Sequence, residues 1–356
     1  MAITYQAGRR LQATSTDFGT DGAGIPAVVG GWKEIGRTTL GSAGDIIDIA
    51  SLPNKRYYMV LENILGDSGE VSPEITFNGD TGTNYPIRRS NNGGTDWTST
   101  TYNYMYNAYG GTISDRFIVG YIANQSDKEK LYQHHQCINV NRSDAGTAPD
   151  RNELASKWAN TSDPIDQITV TNSGGGSFDT GAEVVVLGFD PADTHSTNFW
   201  EELADISLTS TNTSLDSGTF TAKKYLWVQM YQKGMTGNNT LYNFNSDTGS
   251  NYARRWRIDG GTEWTTPSTT GLMCHNAVGT QTDNFFNMFI VNNSANEKLV
   301  ISSSVYTIST GAGSPPSREE HVGKWDNTSS QITSIQFDHG GSNFGIGSSI
   351  KVWGSD

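Results

Sequence analysis

The chain has few charged residues for its length, and its cations are scattered rather than clustered. Charged side chains make up 17% of the 356 residues, against roughly 25% in an average soluble domain. The formal net charge is −13. A surface that binds nucleic acid needs clustered Lys and Arg to neutralise phosphates. The sequence therefore predicts that neither DNA nor RNA is a partner.

Long apolar runs and cysteines are also scarce. No stretch approaches the roughly 18 continuous apolar residues of a membrane span, and residues 1–31 lack the apolar core of a secretory signal. We therefore expect no membrane partner and no signal peptide, with folding in the cytoplasm. Cys137 and Cys274 are the only cysteines, and they fall at unrelated places of the repeat described below, so no disulfide framework is predicted.

Glycine and short polar residues are abundant instead. The chain holds 40 glycines. Gly, Asn and Asp recur about every ten residues, between short apolar and aromatic runs such as residues 56–61 and 224–231. No window keeps a helical period over about ten residues. This pattern predicts an all-β protein of short strands joined by tight turns.

The chain contains two similar halves. FNGDTGTNY at residues 77–85 returns as FNSDTGSNY at residues 244–252, and residues 84–98 align without a gap over residues 251–265. The spacing between matching positions stays between 166 residues (188 to 354) and 168 residues (55 to 223). Such a constant, long period indicates a tandem duplication of one unit.

The repeat sets the predicted organisation of the chain. We expect two tandem antiparallel β-sandwich domains of jelly-roll-like topology, each with seven or eight strands, at residues 32–190 and 200–356. Residues 191–199 are the predicted linker. Residues 1–31 form an extended, Gly- and Thr-rich N-terminal arm outside the repeat. Two interpretations of this arm stay open, a poorly ordered terminus or a segment that packs on a neighbouring subunit.

The doubled Asp-Thr-Gly tripeptide raises the question of catalysis, because bilobal aspartic proteases carry it once per lobe. In those enzymes apolar residues precede the aspartates, since two carboxylates must share a proton in a dry site. Here Gly79 and Ser246 precede Asp80 and Asp247, and a third Asp-Thr-Gly occurs at residues 179–181. Residues of this kind are typical of turns rather than of a buried strand.

We therefore predict that each copy of the motif forms an Asx-type hairpin turn. Asp and Asn side chains are expected to bind the backbone, and Gly82 and Gly249 to supply positive φ. A bound cation or ligand stays as an alternative, and an aspartic hydrolase as the remote one. No P-loop, dinucleotide fingerprint or zinc-ligand spacing is present, so we assign no catalytic residue, no cofactor and no metal ligand.

Two tryptophans and two arginines are the candidate ligand or interface residues. Trp97 and Trp264 each follow a Gly-Gly-Thr turn, and Arg88 and Arg255 precede those turns. A tryptophan on a loop can stack on a sugar, as in a carbohydrate-binding module. It can equally seal the end of a sandwich or pair with the arginine through a cation–π contact. We favour the structural role.

Three features together resemble structural proteins of marine tailed viruses of bacteria and archaea. They are the segment at residues 77–85, the stretch Lys-Trp-Ala-Asn-Thr-Ser at residues 157–162, and the closing Gly-Ser/Ala-x-x-x-Val-x-Gly turns. The likeness covers residues 32–356, and it implies a virion component with jelly-roll domains and no catalytic residues to transfer. A virion protein also explains an extracellular type of composition without an export signal, because it assembles in the host cytoplasm and leaves by lysis.

Three classes of function follow. The favoured one is a non-enzymatic virion structural protein of the outer capsid, a decoration or capsomer component, whose acidic balance suits a surface away from packaged DNA. We expect it to assemble as a homo-oligomer, with a trimer preferred, and to contact other virion proteins. The alternative is a tail, fibre or cell-surface module that binds a carbohydrate or receptor through Trp97 and Trp264. The aspartic hydrolase is third.

Overall fold

The fold is all-β and antiparallel, as the composition predicts. The computed structural model describes residues 28–29, 31–67, 69–106, 115–191, 193–195, 198–234, 239–275, 283–307, 309 and 311–356. Within these ranges strands are joined by turns and loops, and no helix is present. Most of the predicted N-terminal arm, residues 1–27 and 30, lies outside the described residues, so its packing on a neighbour stays a prediction.

The first sandwich, residues 33–189, consists of a large and a small sheet. Strands are numbered in chain order. The large sheet has eight strands, in the spatial order β2 (Lys33–Thr39), β13 (Glu183–Phe189), β4 (Tyr57–Ile64), β9 (Asp115–Ala123), β10 (Lys130–Asn139), β11 (Asp150–Trp158), β6 (Ile87–Asn91) and β7 (Trp97–Ser99). The small sheet has four, in the order β3 (Ile46–Ile49), β12 (Ile168–Asn172), β5 (Pro73–Phe77) and β8 (Met105–Tyr106).

The second sandwich, residues 201–355, has the same strand order. Its large sheet is β15 (Glu201–Ser207), β26 (Ser349–Ser355), β17 (Tyr225–Gln232), β22 (Asn284–Val291), β23 (Lys298–Tyr306), β24 (Ser317–Trp325), β19 (Tyr252–Ile258) and β20 (Glu263–Thr269). Its small sheet is β16 (Ser214–Asp216), β25 (Ile335–His339), β18 (Thr240–Phe244) and β21 (Leu272–His275). A shared order is what tandem duplication would produce, and the duplication itself stays a prediction.

Corresponding strands also share their register, which defines equivalent positions in the two sandwiches. Tyr57 pairs with Ala123 across β4 and β9, and Tyr225 pairs with Val291 across β17 and β22. The predicted number of strands is wrong, because each sandwich has twelve among the described residues rather than seven or eight. The additional strands, such as β7 and β16, are three residues long and mostly polar, so they lack the apolar run by which a strand is predicted.

Each sandwich encloses its own apolar core between its two sheets. In the first, Tyr58 and Val60 of β4 point inward and pack with Ile75 and Phe77 of the small sheet. In the second, Val228, Phe244 and Phe337 occupy a corresponding core. Because side chains alternate along a strand, every second residue of the large sheets points away from these cores, toward the outer face.

The segment between the sandwiches is more ordered than a simple linker. β1 (Val28–Val29) pairs with β14 (Thr194–His195), which lies inside the predicted linker at residues 191–199. Phe199, at the end of that segment, is 8% exposed, and the following Trp200 is 9% exposed. Both rings therefore belong to a packed region, which lies between the sandwiches and is described below.

Candidate functional site

The doubled Asp-Thr-Gly motif forms a structural turn in each sandwich. The Asp80 carboxylate accepts hydrogen bonds from the Asn84 amide at 2.9 Å and from the indole Nε1 of Trp158 at 2.7 Å. The backbone N–H of Gly82 is a third donor, at 2.8 Å. The second sandwich repeats all three bonds, within 0.1 Å, with Asp247, Asn251, Trp325 and Gly249. The prediction of an Asx-type turn is therefore confirmed, but its hairpin form is wrong, because the flanking strands β5 and β6, like β18 and β19, belong to different sheets.

The predicted role of the glycines in these turns is wrong. Gly82 and Gly249 do not have positive φ; the left-handed residues stand earlier, at Asn78 and Gly79 (φ 51° and 65°) and at residues 245 and 246 (φ 52° and 57°). Gly82 serves close approach instead, because a Cβ there would lie 2.8 Å from Nδ2 of Asn84. The same holds for Gly249, where a Cβ would lie 2.7 Å from the amide of residue 251.

The electrostatics of the two aspartates also suit a turn. Burial acts to raise the pKa of Asp80, but the hydrogen bonds from Trp158 and Asn84 outweigh it and lower the pKa below its ordinary value. The pKa of Asp247 is lowered in the same way. A catalytic dyad needs two carboxylates that share one proton, which raises one pKa strongly. Each aspartate is held instead by donors of its own sandwich.

Trp97 and Trp264 lie on β7 and β20, the edge strands of the two large sheets, and are 41% and 54% exposed. The Trp97 ring contacts Tyr102 at a centroid distance of 5.7 Å, and Tyr102 contacts Tyr104 at 5.0 Å. Trp264 stacks on Trp256, with centroids 6.5 Å apart and an interplanar angle of 20°. Each tryptophan thus sits at the end of an aromatic group on the surface.

The predicted cation–π partner of Trp97 is wrong by one residue. Arg89, not Arg88, lies over the Trp97 ring, at 4.7 Å. Neighbouring side chains on a strand point to opposite faces, so a shift of one position changes the contact completely. Arg88 pairs with Asp96 at 2.9 Å, where both side chains are exposed.

Arg255 lies in the contact between the sandwiches. Its guanidinium donates to the Asp150 carboxylate at 2.9 Å and to the Pro149 carbonyl oxygen at 2.8 Å. In the second sandwich the cation–π contact is made by Arg254, over Trp256 at 5.1 Å. The four candidate residues therefore do not form one site, and only Arg255 contacts the other sandwich among the bonds described.

The outer faces of the two large sheets pack on each other and form a third apolar core. The first sandwich contributes Met59, Leu61, Phe117, Val119, Cys137, Val185 and Leu187. The second contributes Phe199, Trp200, Tyr225, Phe289, Val291, Leu299, Ile301 and Val322. None of these side chains is more than 9% exposed. We call these two facing surfaces the internal contact. The residues on its two sides lie on equivalent strands but at different positions along them.

Polar bonds surround the internal contact. Arg151 makes a two-pronged pair with the Glu263 carboxylate, at 3.2 and 2.9 Å. Glu183 accepts from the Tyr225 hydroxyl at 2.8 Å and from Lys224 Nζ at 3.0 Å. Burial acts to raise the pKa of Glu183, but the bond from Thr39 and the nearby cations outweigh it and lower the pKa. The two sandwiches are therefore joined by packing and by buried charge pairs.

Apolar surface remains exposed on both large sheets, beside the internal contact. On the first sandwich an open groove of about 530 Å³ is lined mainly by Trp32, Tyr57, Tyr121, Leu131 and Phe189. Leu131 is 58% exposed and Tyr57 is 38% exposed. We call this the groove. On the second sandwich Tyr231, Phe285 and Val305 are 38%, 41% and 43% exposed, and they form, with the half-buried Trp227 and Trp353, what we call the strip.

Sequence reasoning missed the groove, the strip and the internal contact, although a signal was present. Residues 56–61 are apolar or aromatic at five successive positions rather than at every second one. A strand with one solvated face alternates, whereas a continuous apolar run indicates that both faces are covered. The run therefore indicated a partner for the outer face as well as an inner core.

Neither a metal-binding cluster nor a membrane-spanning helix is present among the described residues. Among the residues that the structure describes, no group of three or more His, Cys, Asp or Glu side chains is placed to hold a metal ion. Cys137 and Cys274 are both buried and free. Within the same ranges no helix has the length and hydropathy needed to cross a bilayer.

Comparisons with known proteins add no family. No family model matches the chain, and no curated protein matches it. Domains LG4-5 of the mouse laminin alpha1 chain match with 7% identity and a TM-score of 0.16, over 91% of each chain. A Pseudomonas aeruginosa FadL homologue matches with 8% identity and a TM-score of 0.10, over 86% of this chain and 91% of its own. Scores this low carry no argument, so function is inferred from the surfaces of the chain itself.

Proposed function

We propose that the chain is a non-enzymatic structural protein of a virus particle. In this role it is an outer capsid component whose sheet surfaces pack against copies of itself and against other virion proteins. The class of particle is supported by the resemblance of residues 77–85 and 157–162 to structural proteins of marine tailed viruses. The observation that carries a structural role is the exposed apolar surface on both large sheets, in the groove and the strip.

The chemistry of the doubled motifs supports the same role. Asp80 and Asp247 are held by turn donors, and their lowered pKa values suit permanent acceptors rather than proton shuttles. The apolar side chains of the groove lie together, and those of the strip form two rows on either side of the polar Gln229 and Asn287. Grouped apolar side chains of this kind mark interaction surfaces. The net charge of −13 suits a surface turned away from DNA.

Purified virus particles provide the direct test. We expect quantitative mass spectrometry of particles released by lysis to find the chain in many copies per particle, in a fixed ratio to the main shell protein. A symmetric shell offers many identical sites, so high copy number follows from a shell position. A few copies per particle would favour the tail or fibre alternative, and absence from washed particles would contradict the proposal.

A carbohydrate-binding module is the second candidate, because Trp97, Tyr102 and Tyr104 form a partly exposed aromatic ladder. We expect the wild-type chain to pass immobilised glycans without retention. Retention that Trp97→Ala abolishes, with the unfolding free energy changed by less than about 1 kcal/mol, would favour this candidate instead. Trp264→Ala tests the equivalent candidate in the second sandwich, where the exposed indole stacks on Trp256 rather than on a tyrosine ladder.

A further inference from the structure

We propose that the chain assembles head to tail with further copies of itself, the groove of one chain receiving the strip of the next. This inference rests on the proposed structural function and names its first partner, a second copy of this chain. It follows from comparing the internal contact with the surfaces that stay exposed. The groove and the strip repeat in part the two sides of that contact, each on the other sandwich, where the equivalent side chains are only partly covered.

The groove is equivalent to the side of the internal contact that belongs to the second sandwich. By register, its residues correspond to buried contact residues: Trp32 to Trp200, Tyr57 to Tyr225, Tyr121 to Phe289 and Leu131 to Leu299. All four second-sandwich residues are at most 9% exposed, whereas Tyr57 and Leu131 are 38% and 58% exposed. The same apolar pattern is thus covered in one sandwich and exposed in the other.

The strip is equivalent to the opposite side of the internal contact. Its residues correspond to those of the first sandwich that are buried there: Trp227 to Met59, Phe285 to Phe117, Val305 to Cys137 and Trp353 to Leu187. Met59, Phe117, Cys137 and Leu187 are at most 2% exposed, whereas Phe285 and Val305 are 41% and 43% exposed. Each chain therefore carries a second, partial copy of both surfaces that its own sandwiches already join, in which Leu61 and Val185 are replaced by the polar Gln229 and Lys351.

Charge complementarity supports this pairing. The internal pair is Arg151 with Glu263, and the equivalent residues are Arg318 on the second sandwich and Asp96 on the first. The signs are kept, and both side chains are accessible, at 62% and 50% exposed. A contact between chains that repeats the internal one brings Arg318 of one chain to Asp96 of the next.

A lysine that bonds across the internal contact also has a more exposed equivalent in the other sandwich. Lys324 Nζ donates across the internal contact to the Asn139 side chain at 2.9 Å and to the Asn141 carbonyl oxygen at 2.6 Å. Its equivalent, Lys157, pairs with Glu129 at 2.8 Å and is 40% exposed. Lys157 therefore lies beside the groove, as Lys324 lies beside the second-sandwich side of the internal contact.

The symmetry of the contact follows from these positions. The two sandwiches contribute residues from different register positions to the internal contact, so no surface packs on an identical surface. A contact of this heterologous kind continues from one chain to the next, and it ends in a closed ring or an open fibre rather than in a twofold dimer.

The contact between chains is weaker than the internal one. Buried Val119 and Ile301 are replaced at the equivalent positions by Asn287 and Gln133. Glu183, which receives Lys224 and Tyr225, corresponds to Ser349. The repeated contact therefore buries fewer apolar groups and lacks one charge-assisted pair, which suits assembly that depends on concentration.

The test uses two full-length variants and one control in sedimentation velocity experiments. Leu131→Asp places a charge in the groove, and Phe285→Asp places one in the strip. We expect the wild-type chain to self-associate and each variant to weaken that association by about 30-fold or more, the effect of losing one central contact residue. Ile46→Asp is the matched control, because Ile46 is 57% exposed on the small sheet and should leave association unchanged.

Mixing the two variants gives the decisive measurement. The Leu131→Asp chain keeps its strip and the Phe285→Asp chain keeps its groove, so an equal mixture should form a species of two chains and stop there. A mixture that stays monomeric contradicts head-to-tail contact. A wild-type chain that is monomeric up to about 100 µM overturns the proposal and leaves the groove to another occupant.

The ion pair gives a second test that does not touch the apolar surfaces. Arg318→Asp and Asp96→Arg should each weaken self-association, and the double variant should restore it, because the pair is reversed rather than removed. If neither the single variants nor the double variant differ from the wild type in self-association, the assigned pairing is wrong. Presence of the chain in virus particles without head-to-tail association would sustain the structural function and reject only this geometry.

Discussion

Replacing Trp325 with alanine is expected to lower the free energy of unfolding by about 3–5 kcal/mol. Trp325 is 1% exposed, and its ring lies 5.7 Å from Phe244 and 6.2 Å from Tyr252. The substitution empties this space and removes the indole N–H that binds Asp247 at 2.7 Å. Chemical denaturation followed by circular dichroism would measure the loss.

Two further variants separate packing from hydrogen bonding at this position. Trp325→Phe keeps most of the ring but no donor, and we expect it to cost about 1–3 kcal/mol, the penalty for an unmade bond. Trp264→Ala is the control for removing an indole, because that side chain is 54% exposed and its loss should cost less than about 1 kcal/mol. Equal losses at Trp325 and Trp264 would contradict the role assigned to the buried Trp325 indole.

Replacing Trp200 with alanine is expected to destabilise the internal contact by about 3–5 kcal/mol. Trp200 is 9% exposed, and its ring lies 4.9 Å from Phe199, 5.8 Å from Trp227 and 6.2 Å from Phe289. Each sandwich keeps its own core without this contact. We therefore expect thermal unfolding to change from one cooperative transition to two, measured by differential scanning calorimetry.

The equivalent residue in the first sandwich provides the control. Trp32 lines the groove and packs on Phe189 at 5.8 Å. Trp32→Ala should leave a single unfolding transition, because Trp32 is only partly buried at the edge of the third core and the buried side chains of that core remain. If Trp200→Ala also unfolded in one transition with an unchanged midpoint, the third core would not be what joins the sandwiches.

The class of fold could be predicted from the sequence because its signals are local. Turn residues and short apolar runs predict strands, and the repeat spacing predicts two units. Strand order could not be predicted, because it depends on pairs far apart in the chain, such as β13 beside β4, in which Val185 faces Leu61. Short strands such as β8, with two residues, carry no local signal at all.

The candidate site shows the same division between local and distant information. The Asx turn at Asp80 could be predicted, because its acceptor and the donors from Gly82 and Asn84 lie within a few residues. Its third donor, Trp158, lies 78 residues away, and nothing in the motif indicates it. The sequence also does not show whether Arg88 or Arg89 faces Trp97, because that depends on the pairing of β6 with β7.

The third apolar core joins two parts of a single polypeptide. Because a short connecting segment holds these parts together, their contact forms at a high effective concentration that does not depend on how much protein is present. Dilution therefore leaves the paired sandwiches intact. Every association with a further chain therefore starts from two sandwiches that are already docked.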